Sequence, residues 1–226
     1  MHRKILFIAA ATIGSVTASG LADFFVEAVP TWRGDANTAY YSWDTFTQAG
    51  PGGVNYPSQG SFSPAGLTNH GVGAIIAGSG NLYGAGGALD IEVVAAGSNI
   101  AEAVFNVATA GTQIDFSTVS LSLQIDGGPG YNEFIDGSTL ALLNYQDSEP
   151  APGPPGNFSY IDNISFTFDL SGYGNVTALS FDFKSETVNM SLTDFAMDLR
   201  FTPIPAPGAL ALFGLAGLAG RRRRRA

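Results

Sequence analysis

Few side chains in this sequence can support nucleophilic or acid–base catalysis. The 226 residues contain no cysteine and two histidines, of which only His70 lies beyond the first 22 residues. A Ser–His–Asp triad would depend on His70, and no serine lies in a Gly-x-Ser-x-Gly turn. We interpret His70 as a turn residue in a glycine-rich loop. Among nineteen Asp and Glu residues some carboxylates lie close together by chance, so such pairs do not indicate catalysis. The sequence therefore predicts that the protein is not an enzyme. A hydrolase ranks third, behind the two non-enzymatic functions described below.

One segment combines carboxylates with flexible backbone, as a calcium site requires. Asp126, Glu133 and Asp136 lie in one short glycine-containing connection, and Ca²⁺ takes six to eight oxygen ligands. Their spacing differs from that of an EF-hand loop. The alternative is a solvated turn in which Asp and Asn side chains bond their own backbone. Calcium at these three residues is the only cofactor that the sequence suggests.

A cluster of aromatic residues early in the chain has two interpretations. It consists of Trp32, Tyr40, Tyr41, Trp43 and Phe46. Exposed rings would stack on sugar rings, as in a carbohydrate-binding module, whereas buried rings would pack a core. Tyr41 and Trp43 share one face in strand alternation, which favours burial. Core packing is the prediction, and a carbohydrate-binding module, steadied by calcium, is the alternative function.

The segments that would position these residues alternate between apolar and polar side chains, as half-buried strands do. The clearest are residues 117–125, 164–168 and 179–184, and weaker ones are 39–46, 89–94, 103–107 and 140–145. No long stretch has the 3.6-residue apolar period of a helix. The pattern predicts an all-β domain over residues 23–202, an antiparallel β-sandwich of the jelly-roll type.

The last predicted strand changes phase at Thr193–Asp194. Apolar residues occupy even positions before this point, as at Leu192, and odd positions after it, as at Phe195. Because the side-chain period of a strand is two, we predict a β-bulge or a sharp bend there. Two segments rich in glycine and proline, residues 49–87 and 148–157, are predicted to be long loops.

The charges are distributed unevenly within a formal net charge of −9. Between Asp23 and Pro203 there are three basic residues and all nineteen acidic ones, a formal charge of −16. A surface this acidic repels phosphate backbones, whose binding requires clustered Lys or Arg. Nucleic acid is therefore excluded as a partner.

The first 22 residues have the three parts of a secretory signal peptide. Arg3 and Lys4 supply positive charge, residues 5–16 are apolar, and small residues precede Asp23. The apolar stretch of 12 residues is shorter than the ~20 that a membrane-spanning helix needs. We predict a signal helix that is cleaved between Ala22 and Asp23, with cleavage after Gly20 as the alternative.

The last 24 residues form a second composite signal. A stiff motif of Pro205, Ala206 and Pro207 precedes the uncharged apolar residues 208–220. Five arginines follow, namely Arg221, Arg222, Arg223, Arg224 and Arg225. As a short helix the apolar run would extend about 20 Å against a hydrocarbon core of ~30 Å. The arginines would hold it transiently in the inner membrane with its end in the cytoplasm.

This tail resembles the PEP-CTERM sorting signal of Gram-negative and planctomycete-type bacteria, which the membrane peptidase exosortase recognises. The family pattern is Pro-Glu-Pro, an apolar helix and an arginine-rich end, and here Ala206 replaces the central Glu. The Pro-Ala-Pro motif is similar to the variant common in planctomycetes. The resemblance covers residues 203–226 and implies processing, followed by delivery to the cell surface or the extracellular matrix.

We therefore expect an exported surface or matrix protein whose body is a non-enzymatic structural or adhesive β-sandwich. Its expected partners are signal peptidase and an exosortase-like peptidase. Extracellular polysaccharide is a further candidate partner, through the aromatic residues considered above.

Overall fold

The computed structural model describes residues 25–60, 65–150 and 158–202 of the chain. Within these ranges the chain forms fourteen β-strands and one 3₁₀ turn, η1 (Ser171–Tyr173), and no α-helix. The first seven strands are β1 (Thr38–Trp43), β2 (Val54–Asn55), β3 (Gln59–Gly60), β4 (Ala65–Asn69), β5 (Ile75–Ile76), β6 (Leu82–Tyr83) and β7 (Asp90–Ala96). The others are β8 (Ile100–Gly111), β9 (Ile114–Ile125), β10 (Glu133–Asp136), β11 (Ala141–Pro150), β12 (Phe158–Asp169), β13 (Val176–Ser185) and β14 (Met190–Phe201). The two predicted terminal helices lie outside the described residues.

The strands form two antiparallel sheets, which confirms the predicted all-β class and sandwich layout. The larger sheet has eight strands, with the order β11-β12-β8-β14-β1-β3 and with β6 pairing β14 and β5 pairing β6. The smaller sheet has six strands in the order β10-β9-β13-β7-β4-β2. Every strand pair in both sheets is antiparallel.

One apolar core fills the space between the two sheets. At its centre Phe105 of the larger sheet stacks on Phe181 of the smaller sheet, with ring centroids 4.2 Å apart. Phe168 and Phe195 surround this pair at centroid distances of 5.8 to 6.3 Å from Phe105. Each fully buried Phe contributes about 1.5–3 kcal/mol to stability, so this aromatic cluster joins the two sheets.

The predicted alternation is confirmed in the three clearest strands. The inward residues of β9, β12 and β13 are buried: Val119, Leu121, Leu123, Ile164, Phe166, Phe168, Leu179, Phe181 and Phe183. The weaker predictions correspond to β1, β7, β8 and β11, whose observed bounds differ from the predicted ones by a few residues. Alternation was informative here because the residues between the inward ones are polar, even where the outer face is also buried, as at Asn163 and Ser165.

The predicted bulge in β14 is also confirmed. Leu192 pairs with Thr109 and Asp194 pairs with Ala108, so Thr193 is the extra residue on this strand. Its hydroxyl donates to the Ala108 carbonyl at 3.1 Å. The extra residue restores the phase, because Leu192 before it and Phe195, Met197 and Leu199 after it are all buried in the core.

The prediction of one long loop over residues 49–87 is wrong in part. This segment contains β2 to β6, and Leu67 and Leu82 belong to the core. Buried asparagines replace missing ladder bonds: Asn55 Oδ1 accepts from the N–H groups of Thr47 and Gln48 at 2.8 and 2.9 Å. Strands of two to five residues with glycines leave too little alternation to detect.

The predicted loop over residues 148–157 also begins too early. β11 continues to Pro150 and pairs with the start of β12, with Pro150 opposite Phe158. Residues 151–157 lie outside the described residues. Proline at the end of β11 is tolerated because β11 is an edge strand.

Residues 25–37 lie across the outer face of the larger sheet. The Val26 N–H donates to Asn163 Oδ1 on β12 at 2.7 Å, and the Ala28 N–H donates to Asn106 Oδ1 on β8 at 2.8 Å. On the next strand, β14, Arg33 donates from Nε and Nη2 to the two carboxylate oxygens of Asp198, both at 2.6 Å. The N-terminal segment therefore binds three neighbouring strands through their outward polar side chains.

Deletion of Thr193 tests the bulge. The shift of one residue would turn Phe195 and the following inward residues to the outer face, and we expect no cooperative unfolding transition in urea. Thr193→Ala keeps the register and loses one hydrogen bond, so we expect it to fold with a loss of about 1 kcal/mol. A folded deletion variant of wild-type stability would contradict the role of the extra residue.

Replacement of Arg33 by Met tests the buried ion pair. The Asp198 side chain is 0 % exposed, and removal of one partner of a buried pair leaves an uncompensated charge, at a cost of about 3 kcal/mol. The matched control is Arg200→Met, because Arg200 is half-exposed in its pair with Glu102 and should lose less than about 1 kcal/mol. Equal losses of unfolding free energy in urea for the two variants would show that burial does not make the Arg33–Asp198 pair more important than the exposed one.

Candidate functional site

The outer face of the smaller sheet carries the largest group of interacting charged side chains in the described part of the chain. Because Phe181 and Phe183 of β13 point into the core, the intervening residues point outward. Asp182 and Lys184 of β13 lie directly opposite Glu92 and Asp90 of β7. We call the group the polar face; its members are His70, Asp90, Glu92, Ser180, Asp182 and Lys184.

Two basic side chains of the polar face each contact a carboxylate. Lys184 Nζ lies 2.8 Å from Asp90 Oδ2, and His70 Nε2 lies 2.9 Å from Glu92 Oε2. His70 follows β4, and its backbone N–H donates to the Asp90 carbonyl at 2.7 Å. The interpretation of His70 as a loop residue therefore missed its contact with Glu92, which only the pairing of β4 with β7 creates.

Asp182 and Glu92 share a single hydroxyl group. Ser180 Oγ lies 3.1 Å from Glu92 Oε1 and 3.2 Å from Asp182 Oδ2, but a serine has one proton to donate. Like charges directly opposite each other in a sheet are unfavourable. Burial, and next the charge of Glu92, raise the pKa of Asp182 to about 6, while Ser180 and His70 act in the opposite direction.

Two exposed aromatic residues lie beside the polar face. Tyr131, in the β9–β10 connection, is 45 % exposed, and its side chain lies near Ser180 of β13. Burial and the charges of Glu92 and Asp182 raise the pKa of Tyr131. Phe134 of β10 is 66 % exposed and lies opposite Ser122, on the same outer face. The arrangement offers carboxylates, hydroxyls and aromatic rings on one surface.

The structure does not bring the three calcium candidates together. Asp126 lies in the turn after β9, whereas Glu133 and Asp136 lie opposite Leu123 and Ser120, so these two residues of β10 project from different faces. Asp136 Oδ1 accepts from the Ser138 N–H at 2.8 Å, and this bond lowers the pKa of Asp136. Asp136 thus fits the alternative interpretation, in which the side chain of a turn residue bonds the nearby backbone.

Groups of metal-ligating side chains are absent more widely in the described residues. Across residues 25–60, 65–150 and 158–202, no three His, Cys, Asp or Glu side chains lie close enough together to hold a metal ion.

Three residues of the early aromatic cluster, Tyr41, Trp43 and Phe46, pack in the core as predicted, whereas Trp32 is buried outside that core, beside Arg200. Trp32, Tyr41, Trp43 and Phe46 are buried, and the Trp43 Nε1–H donates to the Asn55 carbonyl at 2.9 Å. Tyr40 is half-buried and donates to Glu27 at 2.9 Å; burial, then the charge of Glu27, raises its pKa to about 12. These residues therefore do not form an exposed platform for sugars.

The residues of the two predicted terminal signals lie outside the described residues. They are Ala22 and Asp23 at the signal cleavage point, the motif Pro205, Ala206 and Pro207, and the arginines 221–225. In the described part of the chain, no helix has the length and apolar character needed to cross a membrane.

Comparison with known proteins does not assign the chain to a class. It matches no protein-family model, no curated protein and no solved structure. The arguments on function therefore rest on the residues and on their arrangement.

Asp182→Asn tests the electrostatics of the polar face. The pKa of Asp182 is about 6 in the folded protein against an ordinary 3.8, so the folded state binds more protons between these pH values and stability falls as pH rises through them. The ionised side chain is thus unfavourable above about pH 6, and this effect is absent below about pH 4.

We expect Asp182→Asn to raise the free energy of unfolding by about 1 kcal/mol at pH 7.5, a value reduced for partial solvent screening. The gain should disappear at pH 4. Asp44→Asn, at an exposed residue outside the polar face, should change stability by less than about 0.5 kcal/mol at both pH values. A loss of stability in Asp182→Asn at pH 7.5 would contradict the proposed repulsion.

Proposed function

We propose that this chain is an exported cell-surface or extracellular-matrix protein with a PEP-CTERM-like sorting signal that an exosortase-like peptidase processes. The observation that carries the proposal is the succession of Pro205-Ala206-Pro207, a short apolar run and five consecutive arginines at one end. A secretory signal peptide with cleavage after Ala22 at the other end supports export.

The physical basis of the sorting step is a pause during translocation. The arginines at 221–225 oppose passage across the membrane. The apolar run of 13 residues is too short for a stable span, so it holds the chain only transiently. During this pause the proline motif lies just outside the inner membrane, where a membrane peptidase can reach it.

The body in this proposal is a non-enzymatic structural or adhesive module with a jelly-roll topology. The strand pairing supports that topology: β1 pairs with β14, β7 with β13, β8 with β12, and β9 with β10. These pairs are nested in the sequence and alternate between the larger and the smaller sheet, as when one long antiparallel hairpin is rolled up. β2, β4 and β11 extend the sheets at their edges.

The charge of the body supports an extracellular role without nucleic acid. Its three basic residues, Arg33, Lys184 and Arg200, all form ion pairs with carboxylates. The remaining acidic residues give the surface a strongly negative charge, which keeps such a protein soluble. Because no cation is left over in the described body, no basic patch is available for a phosphate backbone.

The intact mass of the protein recovered outside the cells tests the proposal, together with sequencing of its terminal peptides. We expect a chain that starts at Asp23 and ends near Pro205 to Pro207, because signal peptidase and the sorting peptidase each remove one end. Recovery of a chain that still carries the five arginines would contradict processing at the proline motif.

Two variants separate the charge of the tail from its exact residues. Replacement of the five arginines by lysines keeps the positive charge, so we expect normal processing. Replacement by serines removes the barrier to translocation, so we expect a chain with an intact C-terminus outside the cells. Identical processing of both variants would show that the positive charge is not part of the signal.

A further inference from the structure

Asp182 is the carboxylate of the polar face that lacks a cation. Lys184 pairs with Asp90, and His70 pairs with Glu92. Across the described ranges no ion pair involves Asp182, whose hydrogen bond is the one to Ser180. The face therefore holds more negative than positive charge at the point where β7 and β13 meet.

The two carboxylates flank one hydroxyl group, Ser180 Oγ. Both lie within 3.2 Å of Ser180 Oγ, so their nearest oxygens are at most about 6.3 Å apart. A primary ammonium group has three N–H donors and bonds carboxylate oxygens at about 2.8 Å. An ammonium between Glu92 and Asp182 would relieve the repulsion that the sheet register imposes. A metal ion fits less well, since no third carboxylate, histidine or cysteine completes a metal-binding group in the described residues.

The surroundings of the two carboxylates suit a flat ring that carries the ammonium. Ser120, Ser122 and Ser180 form a strip of small hydroxyl side chains on the outward side of β9 and β13. Tyr131 lies near Ser180 of this strip with 45 % of its surface exposed, and Phe134 is exposed at the edge strand. Aromatic faces attract both apolar ring surfaces and cations.

We propose that the polar face binds saccharides that carry primary amino groups, with Glu92 and Asp182 holding the ammonium and Tyr131 stacking on the sugar ring. The negative charge of the face selects amino sugars over neutral sugars and excludes acidic polysaccharides. The site goes beyond the proposed sorting, and it supplies an adhesive body with a specific ligand class. Binding does not require export, so either proposal can fail without the other.

Isothermal titration with the purified full-length chain tests the site. The probes are a glucosamine oligomer and an N-acetylglucosamine oligomer of equal length, which differ in the charge of the amino group. We expect the glucosamine oligomer to bind at least tenfold more tightly, and added salt to weaken its binding. Equal affinity for both oligomers, or no binding of either, would overturn the proposal.

Matched variants assign the binding to the polar face. Glu92→Gln with Asp182→Asn keeps the shape of both side chains and removes both charges, and we expect at least a tenfold loss of affinity. The control, Asp44→Asn with Glu186→Gln, removes two charges from exposed residues elsewhere and should keep wild-type affinity. An equal loss in both double variants would indicate attraction by the overall charge alone and would refute a site.

The aromatic part is tested in the same way. Tyr131→Ala should weaken binding about tenfold, whereas Tyr56→Ala, at a residue 74 % exposed outside the polar face, should not. Oligolysine of matched charge serves as the competing ligand. If oligolysine binds as tightly as the glucosamine oligomer and Tyr131→Ala has no effect, the face is a site for basic peptides, and the saccharide proposal is wrong.

Discussion

The face-to-face stack of Phe105 on Phe181, with 4.2 Å between ring centroids, fixes the phase of every strand around it. Since alternate side chains of a strand point to opposite sides, an inward Phe181 places Ser180 and Asp182 outward on the smaller sheet. An inward Phe105 likewise places Asn106 outward on the larger sheet, where Ala28 bonds to it. The polar face and the attachment of the N-terminal segment therefore follow from one packing contact.

Scarcity of positive charge is the second constraint on this body. Arg33 of the N-terminal segment forms an ion pair with Asp198, and Lys184 forms one with Asp90 on the polar face. The first of these pairs is needed for stability because it is buried, whereas the second is exposed and contributes little. Glu92 and Asp182 thus lie opposite each other with no ion pair to Asp182 among the described residues, which is the condition under which a cationic ligand gains most.

The sequence was informative where a strand alternates polar and apolar residues and is long enough to show its period. The bulge at Thr193 was predictable because the phase of the apolar residues changes on its two sides. The polar face was not predictable, since Glu92 and Asp182 are 90 positions apart and only the pairing of β7 with β13 joins them. Tyr131 lies in a segment whose carboxylates suggested calcium, and its exposure depends on how β10 pairs with β9. The signal and sorting residues stay predictions.

The position of β14 has a consequence for the time course of folding. β14 is the last strand of the described residues, yet it lies in the middle of the larger sheet, between β8 and β1. A chain that emerges from a translocation pore N-terminus first would have to keep β1 and β8 without their shared neighbour until residue 201 is outside. The closing contacts join residues as far apart as Thr38 and Arg200, and such non-local pairing is slow. From Phe201 to Pro205 the chain reaches at most about 14 Å. A peptidase that cleaves at the proline motif would therefore have to act within this distance of the newly completed sheet.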